Sequence, residues 1–84
     1  MKLLYFAWVR EKTGMDSETL DLPDSVGTVG ALAAWLRDRG DKGFAEAFAD
    51  PSRLRAAVNE DLASFDTAVT NSDEVAFFPP LTGG

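Results

Sequence analysis

Two segments dense in aromatic and branched residues stand near opposite ends of the chain, Leu3–Val9 and Glu74–Phe78. Such residues favour extended backbone. Leu3–Val9 is apolar on both faces, the signature of a strand inside a sheet rather than at its edge. The two segments therefore pair as parallel neighbours at the centre of one sheet, with the rest of the chain folded around them. At 84 residues there is room for a single domain.

The intervening sequence supplies the remaining elements. Arg10–Gly14 breaks the first strand as a short helical turn ending at the glycine. Ser17–Leu22 alternates polar and apolar residues as an edge-like strand, which Pro23-Asp24 ends. Thr28 is an N-cap for a helix over Val29–Arg39, with Val29, Leu32, Ala33 and Leu36 on one face and Gly40 at C′. Phe44 and Phe48, four apart, mark a second helical turn. Leu54–Val58 is a further strand, and Asn59-Glu60-Asp61 is its turn. The order β-β-α-β-β predicts an α+β domain, a mixed sheet packed on one main helix. The domain spans residues 1–78, and Pro79-Pro80 starts a flexible tail over 79–84, since proline has no ladder donor.

Composition narrows the chemistry. The chain has no Cys and no His. Thiol nucleophiles, disulfides, imidazole acid–base work and the ordinary zinc ligands are thereby excluded. Asp50, Glu60, Asp61, Asp66, Asp73 and Glu74 match no cation-loop spacing, and no metal or bound cofactor is expected. A net charge of −6 disfavours nucleic acid and favours a basic protein partner. The N-terminal apolar run ends in Arg10-Glu11-Lys12 without a cleavage site, and nothing approaches the roughly 20 residues of a membrane span. A soluble, cytoplasmic protein with no membrane partner is the expectation.

The tail carries the reactive group. Pro79, Pro80, Leu81, Thr82, Gly83 and Gly84 follow Phe78, and at about 3.3 Å each they reach roughly 20 Å. The prolines pre-set an extended exit, which lowers the entropy lost on capture. Glycines without Cβ fit a narrow channel and leave the Gly84 carboxylate open to attack. Two successive glycines arise by chance roughly once in two hundred at average usage.

The opening Tyr5-Phe6-Ala7-Trp8-Val9-Arg10-Glu11 with Gly14 resembles that of molybdopterin synthase small subunits, the MoaD-like sulfur carriers. Ala57-Val58-Asn59-Glu60 and Asp73–Pro80 running into Gly83-Gly84 extend the resemblance over nearly the whole chain. It implies the β-grasp fold of ubiquitin and a carrier that is not an enzyme on its own. An adenylating enzyme (MoeB-like) would use ATP to activate Gly84, and a persulfide donor would convert it to a thiocarboxylate. The large synthase subunit (MoaE-like) would take up the tail in a heterotetramer and pass the sulfur to cyclic pyranopterin monophosphate. Partner contacts are expected at Phe6, Trp8, Arg10, Leu62 and Phe78. Strand parity places Phe6, Trp8 and Arg10 outward with Lys2 and Leu4, and Glu74, Ala76 and Phe78 outward on the last strand. Leu3, Tyr5, Ala7, Val9, Val75 and Phe77 are then inward. The same tail chemistry would serve a ubiquitin-like protein modifier, or a carrier for thiamin, tungsten cofactor or tRNA thiolation.

Overall fold

A computed structural model describes residues 1–80. Its elements are β1 (Lys2–Tyr5), α1 (Ala7–Thr13), β2 (Ser17–Thr19), α2 (Val29–Arg37), α3 (Lys42–Ala47), a 3-10 turn (Pro51–Arg53), β3 (Arg55–Val58), β4 (Asp61–Ala63) and β5 (Glu74–Phe78). They form one five-stranded sheet in the order β2-β1-β5-β3-β4. β1 and β5 are parallel, with Leu3 beside Val75 and Tyr5 beside Phe77. β5 is antiparallel to β3 on its other side. The pairing of the chain's two ends is thus as expected, within the β-grasp topology.

The first strand is shorter than the sequence suggests. β1 stops at Tyr5, and the rest of the anticipated strand, Phe6–Val9, turns into α1. An apolar run satisfies both periods, and here burial decides: Tyr5, Val9 and Thr13, spaced by four, are all buried. The reversal needs Ala7 at φ 51 and ends in Gly14 at φ 77, whose amide donates to the Arg10 carbonyl. Ala7, expected inward, is consequently exposed.

β4 has no counterpart in the sequence reading; Asp61–Ala63 forms an edge strand folded back on β3 through Asn59 and Glu60, both at positive φ. β2 ends at Thr19 rather than Leu22. α2 is capped by the Thr28 hydroxyl, which accepts from the Ala31 amide at 3.1 Å. It ends at Arg37 instead of Arg39, because Gly40 (φ 93) and the extended Asp41 already belong to the turn that starts α3.

The helices cover one sheet face. Leu32, Leu36, Phe44, Phe48, Leu54, Val75 and Phe77 are fully buried between the layers. Phe48 meets Phe77 edge-on at 5.0 Å between centroids, and Tyr5 meets Phe44 at 5.6 Å. Trp35 packs against this core while only partly buried. α3 can approach α1 because residue 43 is glycine; a Cβ there would overlap the Lys12 carbonyl oxygen.

Candidate functional site

β5 is the element that leads into Pro79 and Pro80, where the expected tail begins. It lies between β1 and β3, so its path is set by hydrogen bonds on both sides, and its last rung pairs Phe78 with Arg55. The inward–outward alternation is as predicted: Val75 and Phe77 are buried, whereas Glu74, Ala76 and Phe78 are partly exposed. Pro79 and Pro80 follow, partly buried and outside any strand. Leu81, Thr82, Gly83 and Gly84 lie outside the described residues.

The anticipated contact residues are brought together only in part. Phe6 is 47% exposed, and its amide donates to the Phe77 carbonyl at 3.1 Å, which sets it beside the tail root. Phe78 is partly buried rather than freely exposed. Trp8 and Arg10 do not extend the outward row of β1, because they stand on α1. Trp8 is partly buried, with the Arg53 guanidinium 5.4 Å from its ring centroid. Arg10 is exposed and pairs with Asp16 at 3.6 Å. Leu62, on β4, is 80% exposed.

The register joins the anticipated Leu62 to three residues that were not expected as contacts, Leu4, Ala76 and Ala57. Leu4, Ala76, Ala57 and Leu62 are successive partners across β1, β5, β3 and β4. They form an apolar row on the sheet face away from the helices. Two alanines in its centre leave a shallow trough between two leucines. Arg55 lies on the same face beside Phe78. The buried Ala56 was a usable signal, since it puts Arg55 and Ala57 on the opposite side of β3.

The most tightly bonded polar group lies elsewhere. The Tyr5 hydroxyl donates to Glu18 Oε2 at 2.7 Å, and Arg39 donates to both Glu18 oxygens at 2.8 and 3.2 Å. Arg39 also lies 4.2 Å from the Phe44 ring centroid. Burial, then the bond to Glu18 and that residue's charge, push the Tyr5 phenol well above its usual range, with Arg39 acting the other way. This triad ties β1, β2 and the turn after α2 together. At the sheet's far end, the Asn59 amide, then the Thr70 N–H, hold Asp73 below the ordinary carboxylate range.

A cleft between Met1, Leu22, Val26 and Val69 holds about 170 Å³, below the roughly 300–1,000 Å³ of typical ligand pockets. No three acidic side chains converge as metal ligands among the described residues, which contain no His or Cys. What the described structure presents is the end of β5 at Phe78, flanked by Phe6 and Arg55 with the Arg53–Trp8 pair on the segments next to them, and an apolar sheet face.

A mixed five-stranded sheet with its parallel central pair, packed on helices over one face, defines a ubiquitin-like β-grasp domain. Within that class the chain belongs to the ThiS family, whose match covers residues 3–84. It is 46% identical to the molybdopterin synthase sulfur carrier subunit of Escherichia coli (strain K12), over all of this chain and 99% of that protein. The protein of the same name from Haemophilus influenzae is 40% identical over the same shares. A solved structure from Pyrococcus furiosus, described as a molybdopterin converting factor subunit 1, superposes with a TM-score of 0.73 at 29% identity, covering 95% of each chain.

Proposed function

We propose that this chain is the sulfur carrier subunit of a molybdopterin synthase, and that Gly84 carries the sulfur. The observation that supports this most is the join between β5 and the tail. A strand held on both sides by the sheet ends at Phe78 and runs directly into Pro79-Pro80 and the Gly83-Gly84 ending, in a chain with full-length relatives of that name.

In this reading an adenylating enzyme joins the Gly84 carboxylate to AMP from ATP, releasing pyrophosphate, and makes AMP the leaving group. The outer sulfur of a persulfide donor displaces AMP to give an acyl disulfide. A second thiol then attacks the donor's own sulfur, leaving the thiocarboxylate on Gly84 and a disulfide on the donor side. The large synthase subunit then takes the tail, and the sulfur attacks cyclic pyranopterin monophosphate. Two charged carriers supply the two sulfurs of the dithiolene, in keeping with a heterotetramer. The carrier brings a nucleophile and roughly 20 Å of reach, while acid–base groups come from its partners. The chain itself holds no cofactor and acts in the cytoplasm. None of the helices described is long and apolar enough to cross a membrane.

Intact mass measurement after incubation with the adenylating enzyme, ATP and a sulfur donor tests the proposal. A product heavier by one sulfur-for-oxygen replacement at Gly84 is expected. Deleting Gly84, or adding a residue after it, should abolish sulfur transfer and leave the circular dichroism spectrum unchanged. Full transfer by such variants, or recovery of Gly84 joined to lysines of other proteins instead, would overturn the proposal.

A further inference from the structure

Fourteen acidic residues face eight basic ones, so an exposed arginine in this chain has carboxylates in surplus. Arg10, Lys12, Arg37, Arg39 and Lys42 each stand in an ion pair. Among the described residues Lys2, Arg53 and Arg55 stand in none, although all three are exposed. The two arginines lie together, while Lys2 lies at the other end of the sheet, beside Glu74. Asp50, three residues before Arg53, accepts from Ser52 Oγ at 2.6 Å and from the Ser52 amide at 3.1 Å, and it feels the Arg53 charge without forming an ion pair with it.

Both guanidinium groups are nevertheless held in place. Arg55 Nη1 donates to the Leu54 carbonyl at 2.8 Å and the Ser52 carbonyl at 3.3 Å. Its Nη2 and Nε have no partner among the described residues. Arg53 rests against the Trp8 ring at 5.4 Å. The two flank the rung at which the chain leaves the sheet, whereas Glu60, Asp61, Asp73 and Glu74 gather at the opposite end of β3 and β5. An overall acidic domain thus presents fixed, unspent cations where its tail emerges.

We propose that Arg53 and Arg55 form a cationic collar that docks on a carboxylate-bearing rim around the channel by which the large synthase subunit takes up the tail. This inference rests on the tail-capture reading above. A guanidinium fork matches a carboxylate through paired N–H bonds, and its pre-organisation lowers the entropy lost on pairing. Phe6 and Phe78, at the same rung, exclude water from those pairs on docking and strengthen them. Nucleotide phosphate is the weaker match. Gly84 lies up to roughly 20 Å along the tail, and ATP reacting with it would sit at that remove from the collar. The partner's mouth, not its reaction centre, meets these arginines, and the expectation of a basic partner is reversed for this end of the molecule.

The test is a binding titration of the full chain against recombinant large synthase subunit and recombinant adenylating enzyme at several ionic strengths. It compares wild type with an Arg53→Glu/Arg55→Glu double variant and an Arg53→Lys/Arg55→Lys double variant. Charge reversal should weaken binding to the large subunit by about tenfold or more at low salt, with the association rate falling most, and a loss confined to the adenylating enzyme would overturn the proposal. The gap from wild type should close as salt screens the pairs. The lysine variant should recover most of the affinity, and thermal melts should be alike. Equal affinity of wild type and reversed variant for the large subunit would overturn the collar while leaving the carrier reading intact, provided wild type still acquires sulfur. A loss that ignores salt and is equal in the lysine variant would also overturn it, as a shape effect. A wild type that binds neither protein and acquires no sulfur would sink both.

Discussion

The amide of Phe6 donates to the carbonyl of Phe77 at 3.1 Å, carrying the parallel β1–β5 pairing one residue beyond the end of β1. That bond fixes an exposed ring next to the tail root at the point where Ala7 swings the chain into α1. It also separates two adjacent phenylalanines by role, because Phe77 faces the helices and Phe78 faces the other way.

Substitution of those two rings should therefore have opposite effects. Phe77→Ala removes a fully buried ring packed edge-on against Phe48 and should cost roughly 3–5 kcal/mol of stability. Phe78→Ala should leave folding nearly unchanged and weaken large-subunit binding by about tenfold or more. Urea unfolding and binding titrations on the two variants measure this, and the reverse pattern would mean that the faces are wrongly assigned.

Gly43→Ala should destabilise by about 1–3 kcal/mol or more, since the new Cβ overlaps the Lys12 carbonyl oxygen and forces α1 from α3. This outweighs the roughly 1 kcal/mol by which alanine is the better helix former. Gly27→Ala, where a Cβ meets nothing within 4 Å, is the control and should be neutral or slightly stabilising. Paired thermal melts separate the two.

Glu60 occupies the left-handed region at φ 73, in the turn joining β3 to β4. Glu60→Gly relieves about 1 kcal/mol or more of backbone strain and gives up part of it to the entropy of the unfolded chain. A net gain of several tenths of a kcal/mol in chemical denaturation is expected. A loss of stability would show that the Glu60 side chain has a role beyond the turn.

The raised ionisation of Tyr5 makes folding sensitive to alkali. The unfolded phenol ionises near about 10, whereas the buried one holds its proton to higher pH. Its contribution is complete below the unfolded value and falls as pH rises beyond it, because the unfolded state releases a proton that the folded state keeps. As Tyr5 is the sole tyrosine, its phenolate absorbance reports on this group alone. That absorbance should appear together with unfolding, and Tyr5→Phe should flatten the alkaline loss of stability. A phenolate signal at the ordinary pH in the folded protein would contradict the prediction.

Phe77 and Phe78 also show how far local pattern reaches. Alternation along Glu74–Phe78 determined which side chains enter the core, because a strand paired on both edges has no freedom to rotate. The N-cap at Thr28, the stripe of Val29, Leu32, Ala33 and Leu36, and the glycine ending α1 were equally legible, each resting on contacts within a few residues. The tail motif was legible for a different reason: it needs no fold to be recognised.

Tertiary structure decided what the local signals left degenerate. Tyr5–Val9 is apolar at both the strand and the helix period, and only burial of Val9 and Thr13 beneath the sheet selects the helix, moving Trp8 and Arg10 off the outward row. Asp61-Leu62-Ala63 has too little pattern to declare itself and becomes a strand because β3 offers an unpaired edge. The Tyr5–Glu18–Arg39 bonds and the nearness of Arg53 to Trp8 join residues far apart in sequence, so no window of sequence contains them. The residue types were set by the sequence, but which cations found carboxylates and which stayed unspent at the tail root was settled by where the closed sheet put them.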